Sequence, residues 1–263
     1  MTLLNDKPTR LYIGLAAFFL TNALVAEFMG VKIFSLEQTL GIRSLEFTLF
    51  GEQINGISLT CGVLLWPFVF VMTDIINEYY GPKGVRFLSV MGACMIGYAF
   101  VMLYAAMKVV PANWWIFSSW YGDQLNMDNA YQSVFGQGLA IIAGSLTAFL
   151  IGQLLDVYVF HWLKEKTGEK HIWLRATGST IVSQLIDSFV VLFIAFYVAR
   201  IGQVNQWSLP LLFAVGLVNY IYKFLIALLM TPVIYAVHGF IENYLGAEQA
   251  AAMKKQAMNN NER

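Results

Sequence analysis

Long apolar runs, separated by short polar stretches, are the dominant pattern along the chain. A transmembrane helix needs about 20 mostly apolar residues. Six runs meet that requirement, at residues 11–31, 57–80, 85–107, 138–160, 176–199 and 210–238. The pattern therefore predicts an all-α fold, that of a polytopic membrane protein with six transmembrane helices.

The ends of the chain and the connections carry weaker patterns. The first run is longer than a signal-peptide core, and Leu24 stands where a cleavage site would want a small residue, so we expect this run to be retained. Residues 44–51 alternate as a β-strand does, and residues 111–122 form an aromatic cluster typical of the membrane interface. We expect a transmembrane domain over residues 1–240 and a tail over residues 241–263, a short helix followed by disorder.

Lys and Arg residues are distributed unevenly between the two sides that six spans would create. One side would carry 11 of them and the other side 4. The larger group is Lys7, Arg10, Lys83, Arg86, Lys164, Lys166, Lys170, Arg175, Lys254, Lys255 and Arg263, and the smaller is Lys32, Arg43, Lys108 and Arg200. Basic residues favour the cytoplasmic side, so we expect both termini and the tail in the cytoplasm.

Composition agrees with a membrane protein and gives no sign of other partners. The chain is 58% hydrophobic and 12% charged, its mean hydropathy is +0.62, and its net charge of +0 gives no reason to expect nucleic acid as a partner. Cys61 and Cys94 lie inside apolar runs without metal-ligand spacing. We interpret them as packing residues and expect neither a disulfide nor a metal site.

Ionisable side chains interrupt the apolar runs. Each one costs about 2.5–3.5 kcal/mol at mid-membrane and needs a partner or a task. Asp187 and Lys223 lie about half-way along consecutive antiparallel spans, so they can meet as an ion pair near the midplane. Glu78 lies near the cytoplasmic end of its span, so we interpret its side chain as reaching headgroup water. For Glu27, near the outer end of its span, both a buried and an interfacial position stay open. The remaining members of this group are Asp74 and Asp156.

Amide groups accompany these charges at helical spacing, which predicts a polar cavity. Asp74 and Asn77 share one helix face, and Gln precedes Asp by three residues both at Gln153 and at Gln184. The two Gln-Asp elements hint at an internal repeat. The candidate substrate-binding residues are Asn22, Asp74, Asn77, Gln153, Asp156, Gln184, Asp187, Asn219, Tyr220 and Lys223.

Other features of the runs predict packing. Gly144, Ala148 and Gly152 form a stripe of small residues that lets a neighbouring helix approach. Pro67 and Pro232 each fall inside an expected span, where proline would bend the helix.

No catalytic pattern competes with a transport function. His161, His171 and His238 fall at expected helix ends or loops, where we interpret them as surface or interfacial residues. The chain has neither an H-E-x-x-H motif nor a phosphate-binding loop. We therefore expect no enzyme activity and no cofactor, and energy for transport would come from an ion gradient or another subunit.

Four segments together resemble the queuosine precursor transporter family, a branch of the vitamin uptake transporters. They are TDIINEYYGPKGVR, GSLTAFLIGQLLDVYVFHWLK, WLRATGSTIVSQLIDSFVVLFIAF and VNYIYKFLIALLMTPVIY, and the resemblance covers residues 57–238. It implies a six-helix inner-membrane importer of 7-cyano-7-deazaguanine and 7-aminomethyl-7-deazaguanine for tRNA queuosine synthesis. It also implies an architecture similar to the substrate-binding subunit of energy-coupling-factor transporters. Many relatives carry an Arg where this chain has Gly138 and Leu139.

The candidate residues suit such a substrate. A deazaguanine presents adjacent N–H donors to a carboxylate and a carbonyl acceptor to an amide. We expect Asp187 to be that carboxylate, with Asp74 or Asp156 as the alternative, and Trp66, Tyr220 or Tyr222 to stack on the ring.

Several alternatives stay open at this point. The substrate could be another nucleobase or vitamin, or the chain could be the binding component of a multi-subunit ATP-driven importer. The expected partners are a small molecule and the lipid bilayer, and a homodimer is possible.

Overall fold

A computed structural model describes residues 6–118, 125–136, 139–167 and 172–259. Among these residues, five helices are long and apolar enough to cross a membrane. They are α1 (Lys7–Met29), α3 (Trp66–Lys108), α6 (Leu139–Thr167), α7 (Ile172–Leu192, continued by a π-helical turn Phe193–Tyr197 and a 3-10 turn Val198–Arg200) and α8 (Leu209–Leu245). The all-α, polytopic fold predicted from the apolar runs is confirmed.

Local sequence explains where the long helices begin. Asp6 precedes α1 and accepts a hydrogen bond from the Thr9 amide, and Ser208 does the same for the Leu211 amide at the start of α8. Both helices also have a proline in the first turn, where its missing N–H costs nothing.

The start of the second predicted span is wrong. Residues 58–60 form strand β4 rather than helix, a 3-10 turn covers Cys61–Leu64, and α3 begins only at Trp66. The reason is a strand pairing that hydropathy does not reveal, between β1 (Ile33–Ser35) and β4 (Ser58–Thr60). Pro67 consequently lies in the first turn of a helix rather than inside it, whereas Pro232 is inside α8 as predicted.

Helix α3 is a hairpin of two helical arms, residues 66–80 and 82–108, joined at Gly81. Gly81 has φ 75° and ψ 179°, a backbone conformation open almost only to glycine. The hydroxyls of Thr73 and Ser89 both reach Oε1 of Gln153, at 3.1 and 3.4 Å. In one straight helix these hydroxyls would be about 24 Å apart, so the two arms run antiparallel, side by side.

The hairpin accounts for two of the predicted runs, 57–80 and 85–107. Its first arm is about 22 Å long, which is shorter than the hydrocarbon layer of a bilayer, about 30 Å. The count of six membrane crossings therefore stays a prediction.

The helices alternate in direction, which places the tip of the hairpin beside the start of α1 and the end of α8. The Tyr80 hydroxyl donates to the Pro8 carbonyl at 2.7 Å, and the Lys7 ammonium donates to the Tyr244 carbonyl at 2.9 Å. We call this end of the bundle the tip end. The described members of the larger basic group lie in the segments that meet there, so the arrangement agrees with the predicted charge asymmetry.

Close contacts hold α6 against α7 through the predicted stripe of small residues. A Cβ added at Gly144 would lie 3.3 Å from Cβ of Ile194, and one at Gly152 would lie 3.7 Å from Cβ of Asp187. Only a residue without a large side chain fits such an approach. This part of the sequence interpretation is confirmed.

The end opposite the tip carries short elements. They are β1, α2 (Leu36–Thr39), β2 (Glu46–Leu49), β3 (Glu52–Asn55), β4, α4 (Asn113–Ile116), β5 (Phe117–Ser118), β6 (Leu125–Asn126) and α5 (Met127–Phe135). The strand predicted within residues 44–51 is confirmed as β2, which pairs with β3.

Glu37 organises the connection between β1 and β4. Its buried carboxylate accepts from the Ile57 amide at 2.8 Å and from the Leu45 amide at 3.4 Å. Burial alone would raise the pKa of this carboxyl, but the hydrogen bonds hold the pKa below its usual range.

The tail forms helix α9 (Ala247–Asn259), and α8 continues to Leu245, past the predicted boundary at residue 240. Ala257 of α9 lies against Gly81, and Ala250 is buried as well. The tail helix thus packs on the hairpin tip.

Candidate functional site

A cavity lies between the first arm of α3, helix α7 and helix α8. It holds about 500 Å³ of space, including the solvent at its open side. The wall is mostly apolar, with Trp66 and Phe70 as its aromatic members. Its polar members are Asp74, Thr177, Thr180, Gln184 and Lys223.

Two polar side chains of this wall have atoms without a hydrogen-bond partner among the described residues. They are Oδ1 of Asp74 and Nε2 of Gln184, in side chains that are 2% and 4% exposed. Buried polar atoms are nearly always paired because leaving one unpaired costs about 1–3 kcal/mol. An unpaired acceptor and an unpaired donor in one cavity are what a polar ligand would satisfy.

The predicted ion pair between Asp187 and Lys223 is confirmed. The Lys223 ammonium lies 2.5 Å from Oδ2 of Asp187, and each side chain is about one-fifth exposed. Lys223 belongs to the cavity wall, whereas Asp187 does not. The pair therefore presents its cation to the cavity.

Three consecutive residues of the hairpin bind three different helices just beyond Asp74. Asn77 Oδ1 lies 2.8 Å from Nε2 of His161 on α6. Glu78 forms ion pairs with Arg175 on α7 at 2.7 Å and with Lys164 on α6 at 3.1 Å. The Tyr79 hydroxyl lies 3.0 Å from Nδ1 of His238 on α8. We call these seven residues the polar layer; it lies on the tip side of the cavity.

The polar layer corrects two expectations. Glu78 is fully buried at 0% exposure, so its predicted place in headgroup water is wrong. His161 and His238 are buried at 6% exposure each, so their predicted surface positions are wrong as well. Their partners come from helices far away in sequence, which depth along a single helix does not reveal. His171 and Gly138 fall outside the described residues.

Gln153 and Asp156 pack behind the cavity rather than in its wall. Gln153 accepts from Thr73 and Ser89 as described above, and its Nε2 has no partner among the described residues. Asp156 is 0% exposed, and its Oδ1 lies 3.3 Å from the Ser183 hydroxyl and 3.5 Å from the Thr180 hydroxyl. Oδ2 of Asp156 has no described partner.

Other sequence candidates lie away from the cavity. Asn22 donates to the Phe18 carbonyl of its own helix at 2.8 Å. Asn219 and Tyr220 are half-buried on α8 but are not part of the described wall, and neither is Tyr222. Of the three rings expected to stack on a substrate, Trp66 alone lines the cavity.

Sequence reasoning missed the hydroxyl residues of α7 and the ring of Phe70. Thr180, Ser183, Gln184 and Asp187 follow helical spacing, so their common face was visible in the sequence. Phe70 is one of 20 Phe residues, and nothing in the sequence distinguishes it from the others.

Comparisons with known proteins place these features among transporters. Residues 60–237 match the model of the vitamin uptake transporter family. A protein of Bacillus subtilis named "Probable queuosine precursor transporter" is 30% identical over 193 residues, which cover 73% of this chain and 76% of the relative. No solved structure matches the chain significantly.

Two further relatives extend the match. A protein of Haemophilus influenzae with the same name is 27% identical over 239 residues, covering 89% of this chain and 88% of the relative. The "Queuosine precursor transporter" of Escherichia coli is 28% identical over 189 residues, covering 70% of this chain and 75% of the relative.

Proposed function

The chain belongs to the vitamin uptake transporter family, and on that premise we propose that it imports queuosine precursors, 7-cyano-7-deazaguanine and 7-aminomethyl-7-deazaguanine. The long apolar helices make it a multi-pass membrane protein. The names of the three relatives support the substrate class. We place the protein in the cell inner membrane with both termini in the cytoplasm, an orientation supported by the basic residues around the tip end.

The cavity supplies groups complementary to a deazaguanine. The base has adjacent N–H donors at a ring nitrogen and at its exocyclic amine, and a carboxylate accepts both. In our proposal Oδ1 of Asp74 takes part in this contact, because it is buried in the wall without a partner. The geometry favours Asp74 over Asp187, whose carboxylate is engaged by Lys223.

The amide of Gln184 complements the other polar edge of the base. Its Nε2 is the unpaired donor of the cavity, and the carbonyl of the deazaguanine is an acceptor. Trp66 and Phe70 provide flat apolar surfaces on which the ring can stack. The observation that carries the proposal is the presence of one unpaired acceptor and one unpaired donor in the wall of a cavity that also contains two aromatic rings.

A salvage assay tests the function in cells. The host strain makes no precursor and has no transporter of its own, and it receives 7-cyano-7-deazaguanine in the medium. We expect the chain to restore queuosine in tRNA. Gln184→Leu should abolish most of the restored queuosine, while Gln132→Leu on the exposed helix α5 should leave the queuosine level unchanged. Absence of queuosine despite normal membrane expression would contradict the proposal.

A further inference from the structure

Asp74 and Asp156 form a pair of buried carboxyl groups behind the cavity. They are 2% and 0% exposed, they lie close enough to repel each other, and Thr180, which lines the cavity together with Asp74, has its hydroxyl 3.5 Å from Oδ1 of Asp156. Each has an oxygen without a described partner, Oδ1 of Asp74 and Oδ2 of Asp156. Gln184, an unpartnered donor in the same cavity wall as Asp74, points independently to a polar ligand at this place.

The cations near this pair are held by other acids. Arg175 of α7 and Lys164 of α6 are bound by Glu78, which is itself an anion near Asp74 on the same arm. On α8, Lys223 is bound by Asp187. Among the described residues, no cation of the second arm, of α1 or of any other element forms an ion pair with Asp74 or Asp156.

Two ionised carboxylates are unfavourable in a buried site without a cation. Burial disfavours each charge, and each charge disfavours the other. When the site is closed to water, a state with one neutral group is therefore favoured, and the simplest way to make a carboxylate neutral is to bind a proton. Asp156 suits this role better than Asp74, because it is fully buried behind the wall, whereas Asp74 lines the cavity.

We propose that Asp156 carries a proton that enters together with the substrate, so that the protein is a proton-coupled importer. This inference rests on the proposed function, since it assigns Asp74 to the substrate. A deazaguanine whose N–H groups bind Asp74 stabilises that carboxylate in its ionised form. The bound base also excludes water from the two acids, which raises the cost of a second charge on Asp156. The base therefore binds best when Asp156 is protonated, and by linkage substrate and proton each strengthen the binding of the other.

The proton balance of the cycle is simple. One proton passes from water on the outer side to a carboxylate oxygen of Asp156, travels with the bound base, and dissociates into cytoplasmic water when the base leaves. No other bond forms or breaks. One charge crossing the membrane gains about 2.3 kcal/mol per 100 mV, which is enough to accumulate a neutral base about 50-fold.

Proteoliposomes that contain the purified chain and an internal pH dye test the coupling. With acid outside, we expect wild type to accumulate labelled 7-cyano-7-deazaguanine and to acidify the lumen as the base enters. Asp156→Asn should still exchange external for internal base but should lose both accumulation and acidification. Glu242→Gln, an exposed acid paired with Lys254, should behave as wild type.

The outcomes separate the two proposals. Wild type that exchanges the base without moving protons, or that accumulates it on a sodium gradient alone, overturns the coupling and leaves the proposed function intact. Wild type that exchanges no base overturns the proposed function.

A second measurement needs no variant. If one proton binds with the substrate, the Kd of wild type for 7-cyano-7-deazaguanine should weaken by about tenfold per pH unit above the pKa of the coupled site. A Kd independent of pH overturns the coupling even if Asp156→Asn does not fold.

Discussion

At the scale of single residues, Gln184 and Gln153 make contrasting use of the same side chain. Both are buried, both have an amide nitrogen without a described partner, and each precedes an Asp by three residues. They differ in that the Gln153 carbonyl oxygen lies 3.1 and 3.4 Å from two hydroxyls, whereas Gln184 belongs to the cavity wall. An unpaired buried donor weakens the fold unless a ligand uses it. The two residues should therefore differ in what their loss does.

We expect Gln184→Leu to weaken the affinity for 7-cyano-7-deazaguanine by about 10–100-fold, the loss of one hydrogen bond in a buried site. The same change should leave the melting temperature in detergent unchanged or higher, because it removes an unpaired polar group. The matched change Gln153→Leu should lower the melting temperature, since it removes the oxygen through which Thr73 and Ser89 join the two hairpin arms to α6 and leaves each hydroxyl only a carbonyl of its own helix. Normal affinity in the Gln184→Leu protein would show that this amide takes no part in substrate binding.

Glu78 provides a second test at this scale, because one carboxylate holds two buried cations. Glu78→Gln should destabilise the protein by about 3–5 kcal/mol, the usual cost of breaking a buried ion pair from one side. Glu242→Gln removes the exposed partner of Lys254 and should cost less than about 1 kcal/mol. Thermal unfolding of both variants in the same detergent decides the matter, and equal stabilities would mean that the ion pairs of Glu78 contribute little.

Variants of the ion pair between Asp187 and Lys223 test whether the pair stabilises the fold, takes part in transport, or does both. Either single change to Leu leaves a charge without its partner and should reduce membrane expression. The double variant Asp187→Leu, Lys223→Leu should restore expression but not uptake, because Lys223 belongs to the cavity wall. Near-normal uptake per folded molecule would show that the pair only stabilises the bundle.

At the scale of elements, the hairpin depends on the backbone at Gly81. A Cβ there would lie 3.2 Å from the Ala257 carbonyl oxygen, and φ of +75° with an extended ψ is strained for any other residue. We expect Gly81→Ala to lower the stability by about 1–3 kcal/mol. Gly97→Ala is the control, because nothing lies within 4 Å of the added Cβ and alanine favours helix. Equal melting temperatures would contradict this account of the hairpin.

Elements whose signal is local could be predicted from sequence. The apolar runs gave the long helices, the alternation at residues 44–51 gave β2, and the small residues at Gly144 and Gly152 gave the approach of α7. Asp187 and Lys223 were predictable as partners because each lies half-way along neighbouring spans. The strand at 58–60 was not, because pairing with Ile33–Ser35 decides it.

The candidate site was less accessible to sequence reasoning. Hydropathy ranks Asp74, Asp156 and Asp187 alike, and only the relative rotation of the helices places Asp74 in the cavity wall and Asp156 behind it. The partners of Glu78 lie 86 and 97 residues away along the chain. Contacts over such separations depend on tertiary packing, which a single sequence does not specify.

At the scale of the whole molecule, the polar layer and the cavity divide the bundle. The polar layer joins the hairpin to α6, α7 and α8 near the tip end, and the cavity begins on its other side, at Asp74. If the tip end faces the cytoplasm, a substrate has to pass the polar layer on its way in. Opening that layer is then the step that releases substrate inside.

Reporter fusions test this orientation. A reporter after Arg263 should read cytoplasmic, and so should one within residues 164–167, because both follow segments of the tip end. A reporter within residues 125–136 should read external. A cytoplasmic reading for the last fusion would mean that the helices cross the membrane in the opposite direction or in a smaller number. The polar layer would then not lie on the cytoplasmic side.

Counterflow in liposomes that contain only this chain tests the central claim most directly. The vesicles are loaded with unlabelled 7-cyano-7-deazaguanine, and the uptake of labelled base from outside is measured without any ATPase subunit. We expect a transient accumulation of label that 7-aminomethyl-7-deazaguanine suppresses and unrelated vitamins do not, and Asp74→Asn should reduce it at least tenfold. No accumulation by correctly folded wild type, or equal competition by unrelated compounds, would contradict the assignment of the cavity to a deazaguanine importer.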